Sequence, residues 1–389
     1  MKCFTLNILI ILTMIISSCN SSVKNSVDNT FHFTWEIGGK IPNLPDGKPS
    51  PGLAGAAIGV NNNVLMIGGG ANFSDGMPWN GGKKRYQHDI FIFKKENDSL
   101  INIPGDFHLP YPLAYSANCS IDKGIVAAGG ENMQGPTDSV LLIDWDQKAN
   151  KPVISYLPNL PRPCTDGAMA ADGDKLYFAG GIDSSGVSDG FYMLNLKDTV
   201  KGWQILPALP KPVSHTVLYV QNNGTDTCIY LVGGRKENND AVSDLYNEVY
   251  QFDLKLKQWS EKESLPYALS AHTGVSWGGN SLLVFSGDQG KTFHATELLL
   301  MKIAKEKDQV KRQTLIEEKN ELQKNHPGYS GTVLLYNTHS NQWVKTDSIP
   351  FPGQVTTTAV KWDNEIIIPC GEIKAGVRTP DIMVGKVSE

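Results

Sequence analysis

Six short apolar strands that each run into a glycine constrain the fold of this 389-residue chain more than any other feature. The six segments, which share an apolar run ending in glycine, are 64–69, 125–130, 176–181, 229–234, 282–287 and 366–371. Their spacing is about fifty residues wherever no insertion intervenes. A repeat of that length in a chain of short strands is typical of a β-propeller, in which each repeat forms one blade.

A second series of motifs supports the same count of six. An apolar residue followed by proline precedes every strand–glycine unit, at 44–45, 109–110, 160–161, 209–210, 265–266 and 349–350. A tryptophan stands upstream of several of these units, at Trp35, Trp203, Trp259 and Trp343. Because two independent series agree in number and order, the sequence predicts an all-β fold, a six-bladed kelch-type β-propeller.

The two ends of the chain predict how the ring of blades closes. We label the four strands of a blade a to d from the central axis outward. Residues 33–37 read as a strand d with no inner strands before it, and residues 381–384 read as a strand c with no strand d after it. Pairing the N-terminal strand with the last blade would seal a propeller spanning 33–389 and remove exposed sheet edges.

Residues 1–18 are predicted to be a lipoprotein signal peptide. Their apolar run from Phe4 to Ile16 is too short for a permanent membrane span. Residues 16–19 are similar to a bacterial lipobox with Cys19 as the lipidated residue, and an ordinary cleaved signal peptide is the alternative. Residues 19–32 are predicted to be a flexible tether. We therefore expect an exported, periplasmic protein that contacts the outer membrane only through a lipid anchor.

Charge and cysteine content exclude some classes of partner. The net charge of −5 argues against nucleic acid, which requires a basic surface. Outside the export segment, the cysteines show no C-x-x-C pairing of the kind that binds metals. We therefore expect no metal. The sequence leaves the oligomeric state and any disulfide open.

Blade geometry predicts the position of a binding site. Loops d–a and b–c of every blade open on the same end of the ring, so residues just past the strand-b glycines should face one central mouth. These residues are Asn72, Glu131, Ile182, Arg235, Asp288 and Glu372. Residues early in strand a approach the mouth from the d–a side, and they are Arg162, Asp166, His215 and His272.

Two long b–c insertions fall on the same face as the mouth. The first spans residues 71–88, and the second runs from about 296 to 326. Apolar residues between 302 and 324 follow roughly helical spacing, which predicts a helix there. The insertions either form a wall of the binding site or are solvated segments at its rim.

The loop 371–379 is the segment best suited to chemistry. It places Glu372 directly after a strand-b glycine and Arg378 six residues later, at the start of strand c. A carboxylate suits proton transfer, and a guanidinium binds a substrate carboxylate through a bidentate, charge-assisted pair. Position and composition alone favour a simple surface ion pair between the two side chains.

The loop 371–379 resembles the active-site loop of the bacterial N-acetylneuraminate epimerases, or sialic acid mutarotases, which are six-bladed kelch propellers. The similarity extends to residues 68–73, to residues 83–86 and 89–90, and to the helical insertion before Gly331. The blades stand in rotated order, as in the cyclically permuted mutarotase group. The resemblance implies that Glu372 is the proton acceptor and that Arg378 lies in the same site.

The reaction implied by the resemblance interconverts the α and β anomers of free N-acetylneuraminate by ring opening and closure, without a cofactor. Glu372 would withdraw the anomeric hydroxyl proton while Arg378 holds the sugar carboxylate. The general acid stays unassigned among His215, His272 and a water molecule. Further substrate contacts are expected from mouth residues, namely Arg235, Glu131, Asn72, His215 and Asp288. Residues 212–215 replace an Arg-Asp pair of the enterobacterial pattern, so contacts from that blade should differ.

Three other functions are known alternatives for a chain of this type, and the sequence argues against two of them. Residues 286–293 resemble a sialidase Asp-box, but the motif occurs once and in the wrong loop, and no arginine triad with a nucleophilic tyrosine accompanies it. A copper oxidase would need a Tyr/His/Cys ligand set that cannot be assembled here. A kelch module that binds a glycan or protein without catalysis is the remaining alternative, because fold does not fix function.

Overall fold

The computed structural model describes residues 31–97 and 99–388, without the side chain of Ser388. The predicted signal peptide with Cys19, and most of the predicted tether, lie outside these residues. The described chain forms six four-stranded antiparallel sheets arranged as the blades of a propeller, which confirms the predicted fold. Within the described residues, no helix has the length and apolar content needed to cross a bilayer.

Strands follow the same order in every blade, with short hairpins in four of the b–c loops. The chain begins with β1 (His32–Lys40). Blade 1 contains β2 (Ala57–Asn61), β3 (Val64–Gly68), hairpin strands β4 (Ala71–Asn72) and β5 (Arg85–Tyr86), β6 (Ile90–Glu96) and β7 (Ser99–Ile103). Blade 2 contains β8 (Ala117–Ile121), β9 (Gly124–Ala128), hairpin strands β10 (Glu131–Asn132) and β11 (Gly135–Pro136), β12 (Val140–Asp146) and β13 (Lys151–Leu157). Blade 3 contains β14 (Ala168–Asp172), β15 (Lys175–Ala179), hairpin strands β16 (Ile182–Asp183) and β17 (Gly186–Val187), β18 (Phe191–Asn195) and β19 (Gln204–Ile205).

The second half of the chain repeats this layout with one helical insertion. Blade 4 contains β20 (Val217–Asn222), β21 (Thr227–Lys236), β22 (Asp244–Asp253) and β23 (Gln258–Lys262). Blade 5 contains β24 (Thr273–Trp277), β25 (Ser281–Phe285), helices α1 (Lys291–Lys305) and α2 (Gln309–Lys324), β26 (Thr332–Asn337) and β27 (Gln342–Ser348). Blade 6 contains β28 (Val360–Trp362), β29 (Glu365–Pro369), hairpin strands β30 (Glu372–Lys374) and β31 (Val377–Arg378), and β32 (Asp381–Ser388).

Burial explains why strand b gave the clearest sequence signal. Strands β3, β9 and β25 are buried at every residue, because each is covered by neighbouring blades on both faces. Strands buried on both faces require continuous apolar runs rather than alternation. The outer strand β13 instead alternates between exposed and half-buried residues.

The N-terminal strand closes the ring as predicted. β1 pairs antiparallel with β32 from His32↔Ser388 to Lys40↔Asp381, with a bulge between Ile37 and Gly39, and so serves as strand d of blade 6. Its Trp35 is buried, stacks on Phe33 at 5.5 Å and meets the ring of Phe285 edge-on at 5.8 Å. Since Phe285 belongs to blade 5, this contact locks the last blade against its neighbour.

A closed ring of six backbone hydrogen bonds surrounds the central axis. One residue just before each strand a donates its N–H to the carbonyl of the equivalent residue in the preceding blade, at 2.7–3.1 Å. The ring residues are Gly55, Tyr115, Asp166, His215, Ala271 and Thr356, all with φ between 53° and 66°. Left-handed backbone is uncommon outside glycine, so its repetition in five other residue types reflects the demands of this ring.

The helical insertion differs from the sequence prediction in its bounds. One helical stretch between 302 and 324 was expected, whereas α1 already begins at Lys291 and the chain breaks before α2. Asp308 caps α2 by accepting a hydrogen bond from the Lys311 N–H at 3.0 Å. A local capping carboxylate therefore divides what apolar spacing alone presents as one helix.

Candidate active site

A repeated bridge places one residue of each blade around the mouth. The residue after the last glycine of each strand-b unit pairs with the residue just before a ring residue. The pairs are Ala71–Ala54, Glu131–Ala114, Ile182–Thr165, Arg235–Ser214, Asp288–Ser270 and Glu372–Val355. Five of the six predicted mouth residues therefore occupy equivalent positions.

Asn72 lies one residue beyond the position that was predicted for it. Blade 1 carries an extra glycine, so Gly69 and Gly70 take the left-handed positions and Ala71 takes the mouth position. The buried Asn72 amide donates to the Gly52 carbonyl at 3.1 Å and accepts from Gln87 Nε2 at 3.2 Å. Both ends of its side chain thus hold the loop.

Glu372 and Arg378 face each other across the hairpin of β30 and β31. The Glu372 Oε2 lies 3.5 Å from Arg378 Nη2, and Glu372 Oε1 accepts a 2.6 Å hydrogen bond from the Gly376 N–H. The two side chains are only 16% and 6% exposed. This burial does not fit a simple surface ion pair.

The guanidinium of Arg378 has unused hydrogen-bonding capacity. It stacks over the ring of Phe73, from the first insertion, at 4.6 Å. Its Nε and Nη1 are buried and have no hydrogen-bond partner among the described residues. Since buried donors are costly to leave unpaired, these N–H groups are suited to an anionic ligand that enters the mouth.

The ring of six hydrogen-bonded residues forms the floor of the mouth. A second polar group lies there and consists of Arg235, His215 and Asp166. Arg235 Nη2 donates to His215 Nε2 at 2.9 Å, and Asp166 Oδ1 lies 3.2 Å from the same nitrogen. An arginine can only donate, so His215 Nε2 is an acceptor and the imidazole is neutral. Burial, helped by Arg235, lowers the pKa of His215, while burial raises the pKa of Asp166 to about 6. Both shifts favour a proton on the Asp166 carboxyl beside the imidazole.

A third group joins blades 1 and 2. Glu131 Oε1 accepts hydrogen bonds from Lys84 Nζ at 2.7 Å and from Tyr86 Oη at 2.6 Å. Lys84 also lies 4.7 Å from the ring centroid of Tyr115. Although burial opposes it, the charges around Lys84 raise the pKa of its ammonium, so the lysine stays charged. The first insertion is therefore fixed to the floor by a charged contact.

The floor is crowded on one side and open on the other. Tyr115, Asp166 and His215 occupy three consecutive ring positions, while Ala271, Thr356 and Gly55 occupy the other three. A Cβ at residue 55 would lie 2.4 Å from Tyr115 Cδ1, so glycine there gives the tyrosine ring its space. Because Glu372 pairs with Val355, beside Thr356, the small ring residues leave room next to the Glu372–Arg378 pair.

The two insertions wall this space together. Asn320 of α2 donates to the Trp79 carbonyl of the first insertion at 3.3 Å, and Gly376 of the Glu372 loop lies under Pro78. Phe293 of α1 stacks on the Arg235 guanidinium at 4.5 Å. Of the two interpretations left open for the insertions, the wall of a pocket fits these contacts.

Other predicted residues lie outside this group. Arg162 is 68% exposed and pairs with Asp183 at 3.5 Å. Asp288 accepts from the Gly290 N–H at 2.8 Å and lies close enough to Tyr329 and His326 to influence both electrostatically. His272 is buried beyond the ring, and burial lowers its pKa to about 4.

A separate axial cavity of about 420 Å³ lies among the six strands a. Ring residues and strand-a residues line it, and Glu372, Arg378, Arg235 and Glu131 are not among them. The four charged residues named above thus lie outside this channel. The clustered charged groups, not this axial cavity, mark the candidate active site.

Comparison with known proteins shows the family of this chain. A sequence profile of the family described as N-acetylneuraminate epimerase matches residues 157–389. The chain belongs to the N-acetylneuraminate epimerase family. The N-acetylneuraminate epimerase of Salmonella typhi is 25% identical over 225 residues, which cover 57% of this chain and 56% of that protein. The enzyme of that name from Haemophilus influenzae (strain PittEE) is 26% identical over 235 residues, covering 59% of each.

The chain spans a little over half the length of these N-acetylneuraminate epimerases in each match. When two chains carry the same blades in rotated order, a linear alignment can match only one continuous block of blades. A profile match that begins at residue 157 is therefore consistent with the rotation expected from the sequence. Family membership therefore rests on blades 3 to 6, which include the Glu372–Arg378 loop.

Proposed function

We propose that this protein is a mutarotase that interconverts the α and β anomers of free N-acetylneuraminate or a closely related sugar acid. One observation carries the proposal: the buried Arg378 guanidinium has two unpartnered N–H-bearing nitrogens directly beside the Glu372 carboxylate. In a free sialic acid, the carboxylate, the anomeric hydroxyl and the ring oxygen share one carbon. Glu372 Oε2 lies 3.5 Å from Arg378 Nη2. If Arg378 holds the sugar carboxylate, the anomeric hydroxyl on the same carbon therefore comes close to the Glu372 carboxylate.

Glu372 acts as the base in this proposal. It takes the anomeric hydroxyl proton as the C–O bond to the ring oxygen breaks, and the open-chain ketone forms. Rotation about the bond to the carbonyl carbon exposes its other face, and the reverse steps close the ring. Holding the carboxylate while the carbonyl turns keeps the reacting carbon beside Glu372 throughout.

Asp166 is the proposed acid that protonates the ring oxygen. Its ring position is three blades from that of Thr356, so it faces the axis from the side opposite Glu372. An acid and a base on opposite sides of the substrate fit a reaction that needs both at one carbon. Of the earlier candidates, His272 lies buried beyond the ring, and His215 Nε2 already accepts from Arg235, so neither histidine is the acid in this proposal.

Asp166→Asn should remove the alkaline limb of the pH profile. Because the pKa of Asp166 is raised to about 6, its protonated form falls tenfold per pH unit above that value, and catalysed kcat/KM should fall with it. The variant should be slow and nearly independent of pH between about 5.5 and 7.5. The measurement is kcat/KM against pH after subtraction of the uncatalysed rate.

The stability of this variant provides the control for folding. Ionisation of a carboxyl whose folded pKa is raised destabilises the folded state as pH rises from about 4 through 6. Since asparagine cannot ionise, Asp166→Asn should be at least as stable as the wild type at pH 7. An unchanged alkaline limb in the variant would exclude Asp166 as the acid.

Arg378→Lys should weaken substrate binding more than it slows turnover. Lysine keeps the charge but loses the planar pair of donors, so KM should rise roughly 10- to 100-fold, as expected for loss of a hydrogen bond to a charged group. Arg162→Lys, at an exposed arginine, is the matched control. The methyl ester of the sugar acid should bind wild type poorly and lose little further affinity in the variant. Equal losses for acid and ester would contradict the proposed contact.

The direct test of the proposed activity is the equilibration of a freshly prepared pure anomer. Catalytic amounts of protein should speed equilibration without changing the final anomer ratio. A binding module would leave the rate unchanged. Export and lipidation at Cys19 stay proposals that rest on the sequence alone.

A further inference from the structure

Four side chains of types that can bind metal ions meet where the first insertion joins blade 1. His88 and Asp89 stand where the first insertion ends, and Asp106 and His108 lie in the connection from β7 to β8. The ligand atoms of His88, Asp89 and His108 all lie within 4.8 Å of one another. Two separate segments of the chain therefore supply one compact set of donors.

His108 has a carboxylate at each ring nitrogen. Its Nδ1 lies 2.9 Å from Asp89 Oδ1, and its Nε2 lies 2.8 Å from Asp106 Oδ1. The imidazole of His88 lies beside it, with ring centroids 4.5 Å apart. Neither carboxylate forms an ion pair with a lysine or arginine in the part of the chain that the structure describes. Among the described residues, these carboxylates thus face an imidazole rather than a basic side chain.

The backbone beneath these side chains is already fixed. The Leu109 N–H donates to the His88 carbonyl and the Ile90 N–H donates to the Phe107 carbonyl, both at 2.7 Å. The isolated bridge between Asp89 and His108 lies between these bonds. The ligand-bearing segments need little rearrangement to bind an ion, which lowers the cost of binding.

We propose that His88, Asp89 and His108 bind a divalent transition metal ion of the Zn²⁺ type. Two imidazoles and one carboxylate suit zinc and its neighbours, whereas Ca²⁺ and Mg²⁺ require a set of oxygen ligands. In this arrangement His108 binds through Nδ1, and Asp106 accepts from its Nε2–H. A carboxylate behind a metal-bound histidine fixes the ring and strengthens the ligand. A water molecule completes the fourth position.

The metal would fasten the wall of the sugar site. His88 comes directly after Tyr86 and Gln87 in the sequence. The Gln87 side chain donates to Asn72, and the Tyr86 hydroxyl donates to Glu131. The other segment continues through Leu113, whose N–H donates to the Gln87 carbonyl, to the ring residue Tyr115. An ion here would cross-link the two segments and stabilise the folded chain by mass action. This inference differs from the sequence expectation of no metal, which rested on the lack of paired cysteines, and it does not depend on the sugar chemistry.

The test is metal binding to the mature chain, prepared without a histidine tag and stripped with a chelator. Calorimetric titration with Zn²⁺ should show saturable binding of one ion, and Zn²⁺ should raise the melting temperature. Co²⁺ should give visible d–d absorption in the same stoichiometry. Mg²⁺ and Ca²⁺ should produce neither effect.

Variants identify the ligands. His88→Ala and His108→Ala should each abolish the one-ion binding, and Asp106→Asn should weaken it about 10- to 100-fold because only the orienting carboxylate is lost. His339→Ala, which removes an exposed histidine in the turn after β26, should bind as the wild type does. Lack of Zn²⁺ binding, or binding that survives both histidine substitutions, would overturn the proposal. Preference for Ca²⁺ over Zn²⁺ would do the same.

Discussion

Glu372→Gln should reduce kcat by about 10²- to 10⁴-fold, the usual contribution of a positioned general base. The amide has the same shape, and its oxygen can still accept from the Gly376 N–H, so the hairpin of β30 and β31 should keep its conformation. Substrate affinity should change little, because Arg378 and its stacking partner Phe73 remain. The measurement is kcat and KM for anomer equilibration, with binding followed separately by calorimetry.

Glu248→Gln is the matched control for this substitution. Glu248 is also a partly buried glutamate paired with a basic residue, Lys211, but it lies on β22 in a blade and not at the mouth. The control should keep full turnover. If Glu372→Gln turned over substrate at the wild-type rate, Glu372 would not be the base, and the mechanism would have to be abandoned.

Trp35→Ala should destabilise the propeller by about 3–5 kcal/mol, the range observed when a buried tryptophan or phenylalanine is truncated to alanine. Trp35 belongs to the strand that closes the ring, and it packs against Phe285 of blade 5. Its ring also covers Gly385, where a Cβ would approach to 2.7 Å. Removing it leaves a cavity between the closing strand and the neighbouring blade. Because folded domains are stable by only about 5–15 kcal/mol, this loss is large.

The measurement is the free energy of unfolding from urea denaturation. Tyr156→Ala is the control, because Tyr156 is an aromatic residue on the outer strand β13 that is 60% exposed. The control should cost less than about 1 kcal/mol, as is usual for exposed positions. If Trp35→Ala had the same denaturation midpoint as the wild type, the closing strand would not contribute to stability as the packing requires.

The blades were predictable from the sequence because their physical signal is local. A strand buried on both faces must be apolar throughout, and the sharp turn after it has positive φ angles that favour glycine, as at Gly129 and Gly130. Closure was also predictable, since residues 33–37 and 381–384 each lacked partners that the other supplied. The lengths were less exact: β1 extends to Lys40, and β32 extends to Ser388.

The candidate site was predictable only in part. Glu372 and Arg378 lie on one short loop, so their proximity follows from the hairpin alone. Lys84, Tyr115 and Phe73 come from distant segments, and only the closed ring and the folded insertion bring them to the mouth. Tyr115 does have a sequence signal: four of the six ring residues follow an apolar residue and a smaller one, as in Leu113-Ala114-Tyr115 and Val213-Ser214-His215. The offset of Asn72 arose because an extra glycine in blade 1 moved the register by one residue.

The most direct measurement is time-resolved ¹H NMR of α-N-acetylneuraminate that a sialidase releases in the NMR tube. The anomer signals are followed with and without the purified protein. If a guanidinium holds the sugar acid beside a basic carboxylate, catalytic amounts of protein will make the β-anomer signal grow faster, and the final ratio of anomers will stay the same. Growth of the β signal at the spontaneous rate, in the presence of well-folded protein, would contradict that claim.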